Sequence, residues 1–294
     1  MAASRSPTMR SKLFVPGSRP ELFDKAWNSA ADAISFDLED AVAANRKAEA
    51  RGHVAASLAQ HAKNNAKIAI VRVNPWGDGL FADDMAAVVQ PGLHVVNLPK
   101  IESAEPIIET ARLLDRIERD NGVSRRVGIL ANIETPRGLR MACEIALADE
   151  RVIGLQLGFG DLFEPLAIER SPMALLPVRL AVRLAAAEAG VDAYDGAFVA
   201  VSDGEAFRAD AEAARALGLA GKSCVHPSQI PIANTIFFPR PAEIENARRI
   251  VDKAEEMLAR GVGAFTIDGV MVDGPFIDRA RAVLRIAQSV GQHV

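Results

Sequence analysis

The sequence predicts an α/β protein: a (β/α)8 TIM barrel over residues 10–240, followed by a C-terminal helical extension over residues 241–294. Three observations carry that expectation. Eight short β-prone runs alternate with helical patterns through short loops, the signature of βα units on a parallel sheet. No GxGxxG or GxxxxGK[ST] loop lies between them, which weighs against a doubly wound nucleotide-binding sheet. The length of 294 residues covers the roughly 250 that one such barrel uses and leaves a C-terminal remainder.

The elements follow in order. Residues 1–9 read as a disordered tail, small and polar with Arg5 and no acid; the start of a transit peptide is the other reading, though no apolar signal region is present. Ser11–Val15 is the first strand, closed by Pro16-Gly17, and a helix follows from Pro20 to Ser29. Ala33–Leu38 is the second strand, with Asp37, Glu39 and Asp40 at its end, and a long helix runs from Asn45 to Lys63 with Val54, Ala55 and Leu58 at helical spacing. Ile68–Val73 ends in Arg72, and Asn74-Pro75-Trp76-Gly77 turns the chain. Leu93–Leu98 leads to Pro99-Lys100 and to a helix from Ser103 to Leu114 that Ser103 looks set to cap.

The fifth and sixth strands lie in VGILANIETPRG and VIGLQLGFGDL, with a helix between them, and end in Glu134 and Asp161. A helix from Pro172 to Ala189, a weak strand at Val191–Tyr194, a helix at Asp203–Leu217 and an eighth strand at Gly221–Val225 complete the barrel, with His226-Pro227 after it. Beyond come a helix at Ala242–Ala259, a link containing Phe265–Asp273, and a last helix to Ser289, expected to pack on the barrel or on a neighbouring subunit.

Composition excludes several classes. A net charge of −4 and a pI near 5.8 give no basic footprint for nucleic acid. No apolar run reaches the ~20 residues that span a bilayer, so no membrane partner is expected. Two cysteines, Cys143 and Cys224, lie in different elements without metal-type spacing, which fits a reduced, cytoplasmic setting.

Active sites of such barrels lie at the carboxyl ends of the strands. Those ends carry Asp37, Glu39, Asp40, Arg72, Lys100, Glu134, Asp161 and His226, with nothing comparable expected at the other end. A carboxylate just past an apolar strand is costly to bury unless a cation satisfies it. Glu134 and Asp161, from consecutive strands, would suit Mg²⁺, which takes one or two carboxylates and keeps positions open for water and substrate. As a pair alone they fit two separate solvated loop carboxylates equally well. Each other member has a plain alternative: acids near a helix start, a strand-end ion pair at Arg72, a solvated Lys100, a structural His226. Together they make a ring suited to a 2-oxo or 2-hydroxy acid, with a metal as Lewis acid and template and an arginine stabilising an enolate or carboxylate.

The ordered motifs resemble the citrate lyase beta-subunit family, within the wider group of malyl-CoA and citramalyl-CoA lyases and HpcH/HpaI-type aldolases. They are Arg10–Gly17, Phe36–Val42, Val71–Asn74, Leu98–Ser103, Ile133–Thr135, Gly160–Leu162 and Lys222–Pro227. The resemblance implies a Mg²⁺-dependent lyase that cleaves a 3-hydroxy-3-carboxyacyl-CoA (citramalyl-, malyl- or citryl-CoA type) to acetyl-CoA and a 2-oxo acid. Glu134 and Asp161 fall on the family's metal ligands, and Arg72 on the arginine that polarises the thioester oxygen. Glu39 and Asp40, beside Asp37, match acids near the metal. Phe14, Arg19 and Lys25 match the region that receives CoA, and Lys100 and Arg137 are further substrate-binding candidates. Asp273, in Ile267–Pro275, matches the acid/base aspartate often delivered across a subunit interface; capping the last helix is its other reading. The partners implied are an acyl-CoA thioester, a 2-oxo acid and further copies of the chain in a trimer or hexamer.

Thr135-Pro136-Arg137 and Phe159 depart from common family versions beside the expected ligands, which makes them the expected seat of substrate choice. A citrate lyase complex subunit, an acyl-CoA thioesterase, a free oxo-acid aldolase and a non-catalytic CoA- or oxo-acid-binding protein are the competing readings.

Overall fold

The structure, a computed structural model, describes residues 8–62 and 67–291. Positions 1–7 of the expected tail, and Lys63 at the expected end of the second helix, lie outside the described residues.

Eight parallel strands close into a barrel in chain order: β1 (Ser11–Pro16), β2 (Ala33–Asp37), β3 (Ile68–Arg72), β4 (Val95–Leu98), β5 (Gly128–Ile133), β6 (Val152–Leu157), β7 (Asp192–Asp195) and β8 (Gly221–Cys224). Closure is made by β1 against β8, with Ser11 opposite Lys222 and Leu13 opposite Cys224. Gly221 permits it, because a Cβ there would overlap the Met9 carbonyl oxygen and stand 2.9 Å from that of Arg10.

The helices are α1 (Phe23–Trp27), α2 (Lys47–His61), α3 (Phe81–Val88), α4 (Glu105–Asp120), α5 (Pro136–Arg140), α6 (Ala142–Leu147), α7 (Phe159–Phe163), α8 (Pro172–Glu188), α9 (Gly204–Ala216), α10 (Gln229–Ile236), α11 (Pro241–Ala259) and α12 (Gly274–Gly291). Several differ from expectation. The first helix is a 3₁₀ turn at Pro20–Leu22 followed by the short α1. Ser103 caps nothing: α4 begins at Glu105 with Ala104 at its N-cap and runs six residues past Leu114, to Asp120. The segment Phe265–Asp273 is not a plain link but an antiparallel hairpin, β9 (Phe265–Ile267) with β10 (Val270–Val272).

Side-chain alternation gives the barrel an apolar outer layer and an interior that turns from apolar to polar towards the carboxyl ends. Ile34, Phe36, Val71, Val96, Ile129, Leu155 and Leu157 point outward and are buried. Burying one such side chain contributes about 1.5–3 kcal/mol, so this outer layer supplies most of the cohesion. Inside, Met9, Ala33, Ile70, Val95, Leu130 and Tyr194 form one apolar cluster. Two residues further along the same strands come Ser35, Arg72, Asn97 and Asn132, and two further again Asp37 and Glu134. The same period that buries the cluster therefore delivers charge to the carboxyl ends.

The chain divides into two compact units, one through Thr235 and one from Ile236. In the second, Ala254, Val272 and Ile277 form a small core that ties α11, β10 and α12 together. No helix among the described residues is long and apolar enough to cross a membrane.

Candidate active site

The site begins at the register pair Asp37 and Arg72. Arg72 Nε and Nη2 donate to the two Asp37 oxygens at 2.8 and 2.5 Å, a planar fork on a carboxylate. Asp37 also accepts from the backbone N–H of Glu39 (2.9 Å) and of Ala41 (3.2 Å), which curls the loop after β2 over the barrel mouth. Arg72 Nη1 then lies 2.8 Å from Glu39 Oε2 and 3.7 Å from Asp40 Oδ2. Burial works against the guanidinium charge, but Asp37 and then Glu39 hold it above its ordinary value.

Glu134 follows β5 directly and is almost fully buried. Its Oε1 accepts from the backbone N–H of Lys100 at 2.7 Å and its Oε2 from Asn132 Nδ2 at 3.2 Å. Burial, with Glu39 close by, pushes its carboxyl up to about 7. Lys100 adopts φ 53°, a left-handed conformation that costs a lysine about 1–3 kcal/mol. That geometry turns its N–H to Glu134 while its ammonium meets Glu39 at 2.5 Å, Asp40 at 3.5 Å and Asp161 at 3.7 Å. Burial raises the Glu39 carboxyl even so, with Arg72 and Lys100 pulling the other way.

Asp161 is not at a strand end as expected. It lies four residues beyond β6, on the one-turn helix α7, and is 38% exposed. Gly158 lets the two carboxylates share the site: a Cβ on it would overlap Glu134 Oε2 and stand 2.6 Å from the Glu134 Cβ.

Phe14 is half-buried, with Lys12 Nζ 4.6 Å and Arg72 Cζ 5.4 Å from its ring centre. Lys12 was not among the sequence candidates. It is buried inside the barrel and hydrogen-bonded to Gln156, and burial followed by Arg72 pulls its amine well below the usual lysine range. The available signal was its place two residues before Phe14, on the same strand face.

The remaining candidates do not join this cluster. Arg19 pairs with Glu21 at 2.7 Å on the surface, and Lys25 on α1 is exposed. Arg137 is exposed in α5, whose N-cap Thr135 accepts from Gly138 N at 3.0 Å. His226 is also exposed and hydrogen-bonds Ser228 at 2.8 Å, so it leaves the expected ring. Phe159 is buried, with Arg170 and Arg179 guanidinium carbons 5.4 and 5.6 Å from its ring, and cannot present itself to a substrate. Asp273 precedes α12 in the second unit; its carbonyl accepts from Ile277 N at 3.0 Å, and its buried Oδ1 has no hydrogen-bond partner.

Charge is not confined to the carboxyl ends, contrary to expectation. Arg10 grips Asp32 at the opposite end, where Arg151 also holds Glu118 and Asp115. There one arginine meets one or two acids, whereas the upper ring sets five carboxylates around Arg72 and Lys100.

Among the described residues no three Asp, Glu, His or Cys side chains converge as a metal cage. Mg²⁺ needs no such cage, since water and substrate oxygens complete its shell. Glu134 fits it: a carboxylate raised by burial and then by Glu39, with Asp161 beside the same lysine.

A closed (β/α)8 barrel with acids and two cations gathered at its carboxyl ends has the architecture of a barrel enzyme with its site at that end. Residues 10–227 match the HpcH/HpaI aldolase/citrate lyase family, and the chain belongs to it: it is a lyase-family enzyme. It is 39% identical to citrate lyase subunit beta of Escherichia coli K12 over 290 residues, covering 98% of this chain and 96% of the relative. It is 36% identical to a (3S)-malyl-CoA thioesterase of Cereibacter sphaeroides, covering 98% of each chain. The crystal structure of protein CitE from Mycobacterium tuberculosis, in complex with magnesium, acetoacetate and coenzyme A, superposes with a TM-score of 0.76 at 32% identity, over 97% of this chain and 99% of that one.

Proposed function

We propose that the protein is a Mg²⁺-dependent carbon–carbon lyase that cleaves a 3-hydroxy-3-carboxyacyl-CoA of the citramalyl-, malyl- or citryl-CoA type to acetyl-CoA and a 2-oxo acid. The observation that carries this reading is the buried Glu134 carboxylate, raised to about 7, gathered with Asp161, Glu39 and Arg72 around Lys100. The magnesium, acetoacetate and coenzyme A in the related structure support it.

Glu134 and Asp161 would hold the metal, with Glu39 and Asp40 beside them. When bound, it supplies a Lewis acid and a template for the carboxylate and hydroxyl of the substrate. Arg72 spends two of its five N–H bonds on Asp37, while Nη1 stands in ion-pair contact with Glu39. The N–H groups not bonded to Asp37 are left to receive the thioester oxygen as negative charge develops on it when the C–C bond breaks. Lys100 balances the acids and keeps their repulsion from expelling an anionic substrate. Phe14, packed between two cations, gives the mouth an apolar wall, and Arg19, Lys25 and Arg137 are the surface cations available to CoA phosphates. Asp273 protonates the acetyl-CoA enolate carbon in cleavage and removes that proton in condensation. Its buried, unpartnered Oδ1 is consistent with that task rather than with capping α12. We place it in the site of a neighbouring copy within a homotrimer or hexamer, in a cytoplasmic setting.

The likeness to a malyl-CoA thioesterase favours a second reading, hydrolysis of the thioester. One experiment separates them: a panel of citramalyl-, malyl- and citryl-CoA with and without Mg²⁺, reading oxo acid and free CoA independently. Equal release of oxo acid and acetyl-CoA with Mg²⁺ is expected. Free CoA without oxo acid would establish hydrolysis, and no turnover until partner subunits are added would point to a citrate lyase complex.

A further inference from the structure

The loop that carries Glu39 is held from two sides. From inside the barrel, Asp37 accepts the Glu39 and Ala41 N–H groups, and the Leu38 N–H donates to the Arg72 carbonyl at 2.9 Å. From outside, Lys47 donates to the carbonyls of Leu38 (2.7 Å) and Glu39 (2.6 Å) and to Asn74 Oδ1 (2.7 Å). An ammonium has three protons, so all three are used. Asn74, two residues past Arg72, is itself fixed: its backbone N and Nδ2 donate to Asp84 Oδ2 at 2.9 and 2.6 Å. Arg51 Nε donates to Asp84 Oδ1 at 2.8 Å. Asn74 and Asp84 are 2% and 0% exposed. The chain of bonds thus runs from α2 through α3 and the β3 loop to the backbone of the acid loop.

Local propensity does not explain Lys47. It is the first residue of α2, behind Arg46, which makes no side-chain cap. A cation at a helix N-terminus opposes the helix dipole. The residue is unfavourable for its own helix and fully engaged with the next loop.

We propose that Lys47 is a positioning residue for the lyase site, held by Asn74, Asp84 and Arg51. It fixes the backbone from which Glu39 reaches Arg72 at 2.8 Å and Lys100 at 2.5 Å. The kinetic part of this inference rests on the lyase reading above; the structural part does not.

The test is Lys47→Met, which keeps the aliphatic stem and removes the donors, beside Lys47→Arg, which restores cationic donors. Loss of an outer partner of a catalytic group typically costs 10–100-fold in activity. The expected result is a fall of about that size in kcat with KM for the thioester within about threefold, partly recovered in Lys47→Arg. Hydrogen exchange should accelerate in peptides spanning residues 38–46 and nowhere else. Unchanged kcat, or exchange that rises over the whole chain together with a lower Tm, would overturn the proposal. If the wild-type chain cleaves no thioester, the lyase reading fails on its own, and loop exchange unchanged in Lys47→Met still overturns the clamp. Should Lys47→Met not fold, Lys47→Gln carries the same expectations.

Discussion

Gly158 has an ordinary backbone, φ −118°, so what it supplies is space. Gly158→Ala should displace the Glu134 carboxylate and lower Mg²⁺-dependent turnover by about 10–100-fold or more, since it disturbs a ligand directly rather than through a neighbour. Steady-state kinetics over a magnesium titration would check it, and wild-type turnover would refute it. His94 makes a second residue-level expectation. The Ala69 N–H donates to its Nδ1 at 3.2 Å, and burial, with Arg125 nearby, pushes the imidazole down to about 4 from an ordinary 6.5. Because the folded value is the lower one, the unfolded chain binds the extra proton first. Stability should be intact above pH 6.5, fall between 6.5 and 4, and level off below. The partly exposed ring limits the loss to about 1–2 kcal/mol. Urea titrations of wild type and His94→Asn across that window measure it; the variant should show the shallower acid limb.

At the scale of elements, β7, β8, α8 and α9 are joined by a buried quartet. Arg179 on α8 bonds Asp195 at 2.8 Å and Asp210 at 2.6 Å, and Lys222 on β8 bonds the same two acids at 2.5 and 2.6 Å. Two cations and two acids balance, so the group is satisfied as a unit. Removing one member leaves an unpaired buried charge, which typically costs about 3–5 kcal/mol. Arg179→Met should therefore lower Tm by several degrees, read by calorimetry, and should also loosen Phe159 on the helix that carries Asp161. Strand identity was largely legible: seven of the eight strands fall within two residues of their expected bounds and β6 stops four residues short of Asp161, because short apolar runs between turn residues mark them. The short helices α3, α7 and α10 were not. One or two turns give too few repeats for a helical period to register, and α7 in particular reads as the tail of its strand. That is why Asp161 moved from a strand end to a helix.

For the whole molecule, the proposed delivery of Asp273 to a neighbouring site predicts complementation. Asp161→Ala and Asp273→Ala should each be inactive alone. Mixed after reversible dissociation, they should regain up to about a quarter of wild-type activity, because one statistical class of sites then has both functional groups. Activity that stays at zero in a mixed oligomer, shown to be mixed by mass, would return Asp273 to its own chain. The long-range result of folding is the gathering of Glu39, Arg72, Lys100, Glu134 and Asp161, contributed by five successive βα units.

The sequence by itself determined the barrel, the strand ends and the residue types that crowd there, since alternation and punctuation are local properties of the chain. It also carried the family, through motifs kept in order. The tertiary structure decided what no local pattern encodes: that Lys100 turns left-handed with its N–H on Glu134 and its ammonium on Glu39, that Phe159 lies against two guanidiniums, that His226 stays outside, that Lys12 is buried against Gln156, and that Lys47 bonds the loop carrying Glu39. Those outcomes depend on which side chains meet in the folded chain, and partners as far apart as Lys100 and Glu39 or Lys12 and Gln156 leave no trace in the spacing of either.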